Sequence, residues 1–113
     1  NSGSNYHRES IKQVAKELSD SGSRDRMMID CSHGNSNKDF RRQAEVLCDI
    51  ADQVKEGSSH IMGVMIESHL VEGNQKLTKD LSKLTYGQSI TDACIDMNTT
   101  ATLFAKLADA VSA

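Results

Sequence analysis

Two residues that can coordinate a metal ion each follow a short apolar run. His33 comes after the run at 27–31, and Glu67 comes after the run at 61–66. Their separation of 34 residues (67 − 33) is close to one strand–helix–strand unit. We therefore expect them at equivalent ends of neighbouring parallel strands, about 4.8 Å apart. An imidazole and a carboxylate at that distance suit Mn²⁺, Fe²⁺ or Zn²⁺.

A third ligand would have to come from a loop, and Asp92 is the natural candidate. The polar stretch at 72–88 leads the chain back toward the strand ends just before it. Spacing alone leaves a second interpretation open. In that interpretation His33 is a capping or hydrogen-bonding residue, Glu67 is solvated, and Asp92 is a helix N-cap.

Nucleophilic catalysis is disfavoured by the sequence. Ser32 and His33 are adjacent, as are Ser68 and His69, and adjacency is not expected to place a hydroxyl on the neighbouring imidazole as a hydrolase requires. Cys31 shares strand parity with His33 but lies one level deeper, so we expect it in the core.

Strands and helices alternate along the chain. Residues 10–18 carry an amphipathic helical stripe that Ser21-Gly22 can end, and 27–31 suits a strand buried on both faces. A second helical stripe contains Phe40, Ala44, Leu47, Ala51 and Val54, and Gly57 is positioned as its stop. Single helices between strands require right-handed crossovers and parallel pairing, which predicts the α/β class.

The second half of the chain contains a strand, a loop and a helix. Alternation along 61–66 places Gly63, Met65 and Glu67 on one face of the strand. The other face, which is expected to pack against helices, carries Met62, Val64 and Ile66. Residues 72–88 are expected to form a long loop. The last helix is expected to begin with Asn98 or Thr99 as N-cap, and to bury Leu103, Phe104, Leu107, Ala108 and Val111.

Composition limits the class of protein. The 113 residues suffice for one domain and are too few for a complete eight-stranded α/β barrel of about 250 residues. The net charge is −3 without long charged blocks, which argues against a nucleic-acid or membrane-surface partner. Lys38, Arg41 and Arg42 form a basic cluster that is most simply a solvated face, with a phosphate contact as the minor alternative.

The expected compartment is the cytoplasm. No window reaches 18 consecutive apolar residues, and residues 1–4 lack the features of a signal peptide. The three cysteines, Cys31, Cys48 and Cys94, are an odd number at irregular spacing, which predicts reduced thiols and no disulfide framework.

Three sequence blocks together resemble a known family. They are IDCSHGNSNK at 29–38, MIESHLVEGNQ at 65–75 and YGQSITDACI at 86–95. Their order and spacing resemble the C-terminal part of the class I 3-deoxy-D-arabino-heptulosonate 7-phosphate (DAHP) synthases of bacteria and yeast. The resemblance covers nearly everything from 5 to 111.

The resemblance implies a fold and an activity. Members of this family are TIM (β/α)₈ barrels that condense phosphoenolpyruvate with erythrose 4-phosphate, the first step of the shikimate pathway to aromatic amino acids. Residues 5–113 would be the C-terminal portion of that barrel, its last two parallel strands with flanking helices, and residues 1–4 a linker or an artificial end. A homo-oligomer in the cytoplasm is expected.

The resemblance also implies a metal site. The family binds one divalent ion (Mn²⁺, Fe²⁺, Co²⁺ or Zn²⁺) through a cysteine, a histidine, a glutamate and an aspartate. The last three match His33, Glu67 and Asp92, and we expect His33 and Asp92 to be catalytic as well. The family's cysteine, and the lysine and arginines that hold the phosphate groups, have no counterpart in this sequence, so the chain alone is expected to be inactive.

Two other functions remain open at this stage. In the first, the chain is a non-catalytic domain that derives from the same fold and serves as a regulatory or assembly partner. An unrelated small metal hydrolase would use the same three ligands and would need a general base, for which the available residues are His69 and Glu72.

Overall fold

A computed structural model describes residues 3–112, so residues 1 and 2 of the expected linker lie outside the described part, as does residue 113. The elements, in chain order, are α1 (Arg8–Asp20), β1 (Met27–Asp30), α2 (Gln43–Lys55), β2 (Ile61–Met65), β3 (Val71–Asn74), β4 (Gln88–Ser89) and α3 (Met97–Ser112). Short 3₁₀ turns lie at Phe40–Arg42 and Leu81–Lys83.

The first sheet contains β1 and β2, which pair in parallel with Asp30 opposite Met65. Because α2 is the crossover between them, the predicted α/β class is confirmed. The prediction that the first strand is buried on both faces is wrong. Ile29 is 5% exposed and belongs to the core, whereas Met28 on the opposite face is 61% exposed, because one face of this two-stranded sheet is left uncovered.

The alternation predicted for β2 fails at one residue. The register passes from Met27 opposite Ile61 to Met28 opposite Gly63, so Met62 is an extra residue in its strand. Such an irregularity reverses the side on which the preceding residues point. Ile61, like Val64 and Ile66, packs against the core, whereas Met62 is 67% exposed instead of facing the helices.

The expected long loop at 72–88 contains a second parallel sheet, formed by β3 and β4. Its connecting segment is held by the side chain of Gln75, whose amide accepts from Thr85 N and donates to Thr85 O, both at 2.8 Å. A glutamine that substitutes for backbone pairing leaves no periodic signal, which is why the sequence indicated only a loop.

Helix α3 begins earlier than predicted. Its cap is Asp96, whose Oδ1 accepts from Thr99 N at 2.8 Å, and neither Asn98 nor Thr99 serves as N-cap. The helix packs on α2 through one side, where Leu103 and Ala110 are buried and Leu107 is half-buried. The predicted burial is wrong for three residues on its other side, which are exposed: Phe104, Ala108 and Val111.

The core lies between the first sheet and the helices. Its buried members come from β1, the three helices and the segments after β1 and before α3, and they are Ile11, Ile29, Cys31, Val46, Leu47, Ile50, Ile95 and Leu103. The helix stops predicted at Gly22 and Gly57 are present, with φ values of 82° and 102°. Among the helices of residues 3–112, none has the length and apolar character needed to cross a bilayer.

Candidate metal centre

His33, Glu67 and Asp92 converge at the end of the first sheet. His33 follows β1 by three residues, Glu67 follows β2 by two, and Asp92 lies between β4 and α3. His33 Nε2 is 3.2 Å from Asp92 Oδ2 and 3.6 Å from Glu67 Oε1. One ligand atom from each residue lies within 4.8 Å of the other two. The structure therefore brings together the three residues that the sequence selected.

The loop that carries His33 is held in an uncommon backbone conformation. His33, Asn37 and Lys38 have φ values of 50°, 54° and 60°, in the left-handed region that L-residues rarely adopt. The amide of Lys38 donates to His33 O at 2.8 Å, and Asn35 Nδ2 donates to Asp30 O at 2.8 Å. This internal bonding maintains the strained turn and presents the imidazole toward the two carboxylates.

Asp30 orients the imidazole of His33 from the other side. Its Oδ2 lies 2.9 Å from His33 Nδ1. Because a carboxylate only accepts, Nδ1 would keep its proton when a metal ion replaces the proton on Nε2. Desolvation raises the pKa of Asp30, but hydrogen bonds from Ser32 and His33 outweigh it and hold that pKa below its ordinary value. Sequence reasoning missed this role; the signal was an aspartate three residues before the histidine.

The charges around His33 raise the pKa of its imidazole. The hydrogen bond to Asp30 contributes most, followed by the one to Asp92 and the charge of Glu67. The pKa of Glu67 is also raised, first by desolvation and further by the charge of Asp92, although the charge of His33 opposes this. Two carboxylates at close range repel each other, and a cation between them would relieve that repulsion.

Ser32 lies closer to His33 than the sequence suggested. Its Oγ is 2.9 Å from His33 Nδ1, so the expectation that adjacency separates hydroxyl and imidazole is wrong, because the left-handed backbone of His33 folds the ring back. Ser32 is 2% exposed, and its Oγ also donates to Asp30. The hydroxyl proton is therefore engaged by the Asp30 carboxylate, whereas a hydrolase nucleophile would give its proton to the imidazole.

The cysteines do not contribute to the site. Cys31 is fully buried, as predicted, and desolvation, with the charge of Asp30, raises its thiol pKa to about 12. Burial, with the charge of Glu67, also raises the pKa of Cys94. Neither thiol belongs to the group of described residues whose ligand atoms lie within 4.8 Å of one another. All three cysteines are free, as predicted.

A cavity of about 330 Å³ opens beside the three ligand candidates. Its wall is formed by Ser32, His33, Ser36, Lys38, Phe40, Glu67, Asp92 and Ala93. Lys38 is thus the member of the basic cluster that faces the site, whereas Arg41 pairs with Glu72 at 3.7 Å and Arg42 with Glu45 at 3.6 Å on the surface.

The two residues considered as a hydrolase base are engaged elsewhere. His69 Nδ1 accepts from Leu70 N at 2.8 Å, and Glu72 pairs with Arg41. Neither belongs to the wall of the cavity beside the ligand candidates. This arrangement gives a metal hydrolase no base among the residues proposed for it.

The donor set fits a divalent ion. Nitrogen and oxygen ligands bind Zn²⁺ at about 2.0–2.2 Å, which separates adjacent ligand atoms by roughly 3–4.5 Å. The observed separations of 3.2 and 3.6 Å are already in that range. One imidazole and two carboxylates can bind a divalent metal ion and leave positions open for a substrate.

Known proteins resemble this chain over most of its length. The model of the DAHP synthetase I family matches residues 1–105. The chain is 49% identical over 111 residues to a phospho-2-dehydro-3-deoxyheptonate aldolase of Alternaria alternata, and 45% identical over 103 residues to the Tyr-sensitive enzyme of Escherichia coli K12. The two matches include 97% and 91% of the residues of this chain.

A solved structure is similar over the same extent. The phospho-2-dehydro-3-deoxyheptonate aldolase of Francisella tularensis SCHU S4 superposes with a TM-score of 0.92 at 46% identity, covering 97% of this chain. The chain spans 30% of the Alternaria relative, 29% of the Escherichia relative and 31% of the Francisella structure. Because the family model matches nearly the whole sequence, the chain belongs to the DAHP synthetase I family.

Proposed function

We propose that this chain supplies three metal ligands, His33, Glu67 and Asp92, to a DAHP synthase. The observation that carries the proposal is the convergence of one imidazole and two carboxylates within 4.8 Å, in a chain that belongs to the DAHP synthetase I family. The fourth ligand of the family, a cysteine, would come from elsewhere in the complete enzyme. Cys31 is unsuited to that role because it is fully buried in the core and does not belong to the cluster of ligand atoms at the site.

The proposal extends to the fold. β1 and β2 would be the last two strands of a (β/α)₈ barrel, and α2 and α3 would belong to its outer ring. Two observations support this assignment: the superposition covers 31% of the Francisella enzyme, and one face of the sheet leaves Met28 and Met62 exposed. Residues 5–113 would form this barrel segment.

The reaction would join two phosphorylated substrates. C3 of phosphoenolpyruvate attacks the aldehyde carbon of erythrose 4-phosphate, water adds at C2, and inorganic phosphate leaves by C–O cleavage. A bound divalent ion (Mn²⁺, Fe²⁺, Co²⁺ or Zn²⁺) would act as a Lewis acid toward the aldehyde oxygen.

Each residue of the site has a separate part in this scheme. His33 offers Nε2 as a ligand because Asp30 accepts the hydrogen bond from Nδ1–H. Glu67, with a side chain 21% exposed, supplies a carboxylate that desolvation makes a good ligand. Asp92, with a side chain 64% exposed, has room to bind the metal and to orient the sugar phosphate or the attacking water.

We also propose a homo-oligomer located in the cytoplasm. In the isolated chain, the exposed apolar face of the first sheet, which includes Met28 and Met62, favours association. The free cysteines agree with a reducing compartment.

A chimera tests the proposed activity. This chain replaces the matching segment of the Escherichia coli Tyr-sensitive enzyme, to which it is 45% identical, and DAHP formation is measured from phosphoenolpyruvate and erythrose 4-phosphate. We expect an active chimera that loses activity on His33→Ala, Glu67→Ala or Asp92→Ala. A folded but inactive chimera would favour the non-catalytic domain instead.

Calorimetry tests the metal site in this chain directly. Mn²⁺ is titrated into the 113-residue chain and into a His33→Ala, Glu67→Ala double variant. Binding by the first protein alone is expected, because the ligand atoms already converge without the rest of a barrel. Equal binding by both proteins would contradict the assigned ligands.

A further inference from the structure

Gln43 buries a polar amide completely. It is the first residue of α2 and is 0% exposed, and a buried amide is costly unless it is hydrogen-bonded. One residue satisfies both ends of this amide. Nε2 donates to Glu67 O at 3.1 Å, and Oε1 accepts from Glu67 N at 2.7 Å. The side chain of Gln43 therefore forms a two-bond clamp on the backbone of a candidate metal ligand.

Glu67 lies where the sheet no longer supports it. The pairing of β1 with β2 ends at Asp30 and Met65, two residues before Glu67, because the first strand turns away into the His33 loop. The clamp from Gln43 acts just beyond this end. The carbonyl oxygen of Glu67 accepts a second hydrogen bond, from Ile95 N at 3.0 Å.

The clamp connects the three segments that carry the ligands. The His33 loop leads through the 3₁₀ turn at Phe40–Arg42 directly into Gln43, so α2 joins the histidine segment to Glu67. Ile95, which also bonds to Glu67, lies three residues after Asp92. The backbone of Glu67 is therefore the common point of attachment for the segments that carry His33 and Asp92.

We propose that Gln43 is a positioning residue that keeps the Glu67 carboxylate in place for metal binding. It acts through Glu67, because both ends of its amide are occupied by that backbone and it is not part of the described cavity wall. Without the clamp, the Glu67 carboxylate would no longer be fixed 3.6 Å from His33 Nε2. The inference rests on the proposed metal-binding function.

The same helix offers a matched control, Gln53. This second buried glutamine is 3% exposed, and its Nε2 donates to Tyr6 O at 2.8 Å and to Asp49 Oδ1 at 2.9 Å. None of these partners belongs to the candidate metal site. Gln43→Met and Gln53→Met each keep the length of the side chain and remove a buried amide, so they differ chiefly in which bonds are lost.

Mn²⁺ titration and thermal unfolding of the 113-residue chain separate positioning from general stability. Both variants are expected to lower the unfolding midpoint, but only Gln43→Met should weaken Mn²⁺ binding, by about 10- to 100-fold. Unchanged affinity in Gln43→Met, or equal weakening in Gln53→Met, would overturn the proposal. Gln43→Asn is one methylene too short to close both bonds, and it gives the same comparison if the methionine variant does not fold.

A metal-free measurement tests the clamp independently of the proposed function. We expect a nuclear Overhauser cross-peak between the His33 ring and the Glu67 side chain in the wild type and in Gln53→Met, and its loss in Gln43→Met. Absence of Mn²⁺ binding by the wild-type chain would count against the proposed function. Persistence of the cross-peak in Gln43→Met would count against the clamp.

Discussion

His33 and Asp30 form a hydrogen-bonded pair, with Nδ1 of the imidazole 2.9 Å from Oδ2 of the carboxylate. The aspartate ends β1 and the histidine follows three residues later in a left-handed conformation. The pair therefore fixes the direction of the ring and favours a proton on Nδ1. The other nitrogen, Nε2, faces Glu67 and Asp92.

Asp30→Asn is expected to lower the pKa of His33, because the hydrogen bond to Asp30 is the largest contribution to its elevation. It should also weaken Mn²⁺ binding by about 10-fold or more, since the ring loses its orienting carboxylate. NMR titration of the His33 ring and calorimetry check the two effects. As a control, Asp80→Asn removes a carboxylate that accepts from Ser82 in a surface turn, and neither quantity should change. An unaltered His33 titration in Asp30→Asn would show the assignment to be wrong.

Metal affinity should increase with pH through the raised pKa of His33. A metal ion must displace the proton from Nε2, so affinity falls about tenfold for each pH unit below that pKa. The stability of the metal-free chain should change in the opposite direction. Because the folded pKa is raised above 6.5, the stabilisation from protonated His33 is complete below 6.5 and is lost as pH rises through the folded value.

Parallel Mn²⁺ titrations and urea unfolding across this pH range check both trends. In Asp30→Asn the whole window should move to lower pH. Affinity that does not depend on pH in this range would exclude His33 as a ligand.

Leu47→Ala should destabilise the chain strongly. Leu47 is 0% exposed on the core side of α2. Truncating its side chain leaves a cavity and should lower the free energy of unfolding by about 2–5 kcal/mol. Leu81, which is 67% exposed, is the control, and its replacement by alanine should change the unfolding free energy by no more than about 0.5 kcal/mol. Denaturant unfolding measures both, and equal effects would mean that α2 does not pack as described.

The chain should associate with itself at concentrations on the order of tens of micromolar. Exposed strand edges and apolar faces pair in this concentration range. Met28 and Met62 are 61% and 67% exposed on the first sheet. Sedimentation equilibrium should therefore detect dimers or larger species, and the double variant Met28→Lys, Met62→Lys should shift the distribution toward monomer. A clean monomer of the wild-type chain would contradict this prediction.

Features with a local signal could be predicted from the sequence. Parallel pairing followed from two apolar runs separated by one helix, and the proximity of His33 and Glu67 followed from that pairing. The return of Asp92 followed from the direction of the loop before it, and its Oδ2 does lie 3.2 Å from His33 Nε2. The metal itself and the catalytic roles remain predictions.

Features that depend on tertiary contacts could not be predicted. Phe104 and Val111 are exposed because they lie outside the side of α3 that packs on α2, and helical periodicity does not report which apolar side is covered. The extra residue at Met62 alters a strand without altering its composition. The hydrogen bonds from the side-chain amides of Gln43 and Gln75 replace backbone pairing. A single glutamine produces no periodic sequence pattern from which such bonds could be predicted.

The left-handed backbone of His33, Asn37 and Lys38 sets a limit on improving this protein. Each such residue costs about 1–2 kcal/mol compared with a relaxed conformation. Replacement by glycine at these positions is therefore expected to increase the stability of the folded chain. At His33 the same change would remove the imidazole. Selection for thermostability would therefore act on the loop that carries a candidate metal ligand. Asn37, which does not line the cavity beside the ligand candidates, is where backbone strain could be relieved without altering that cavity.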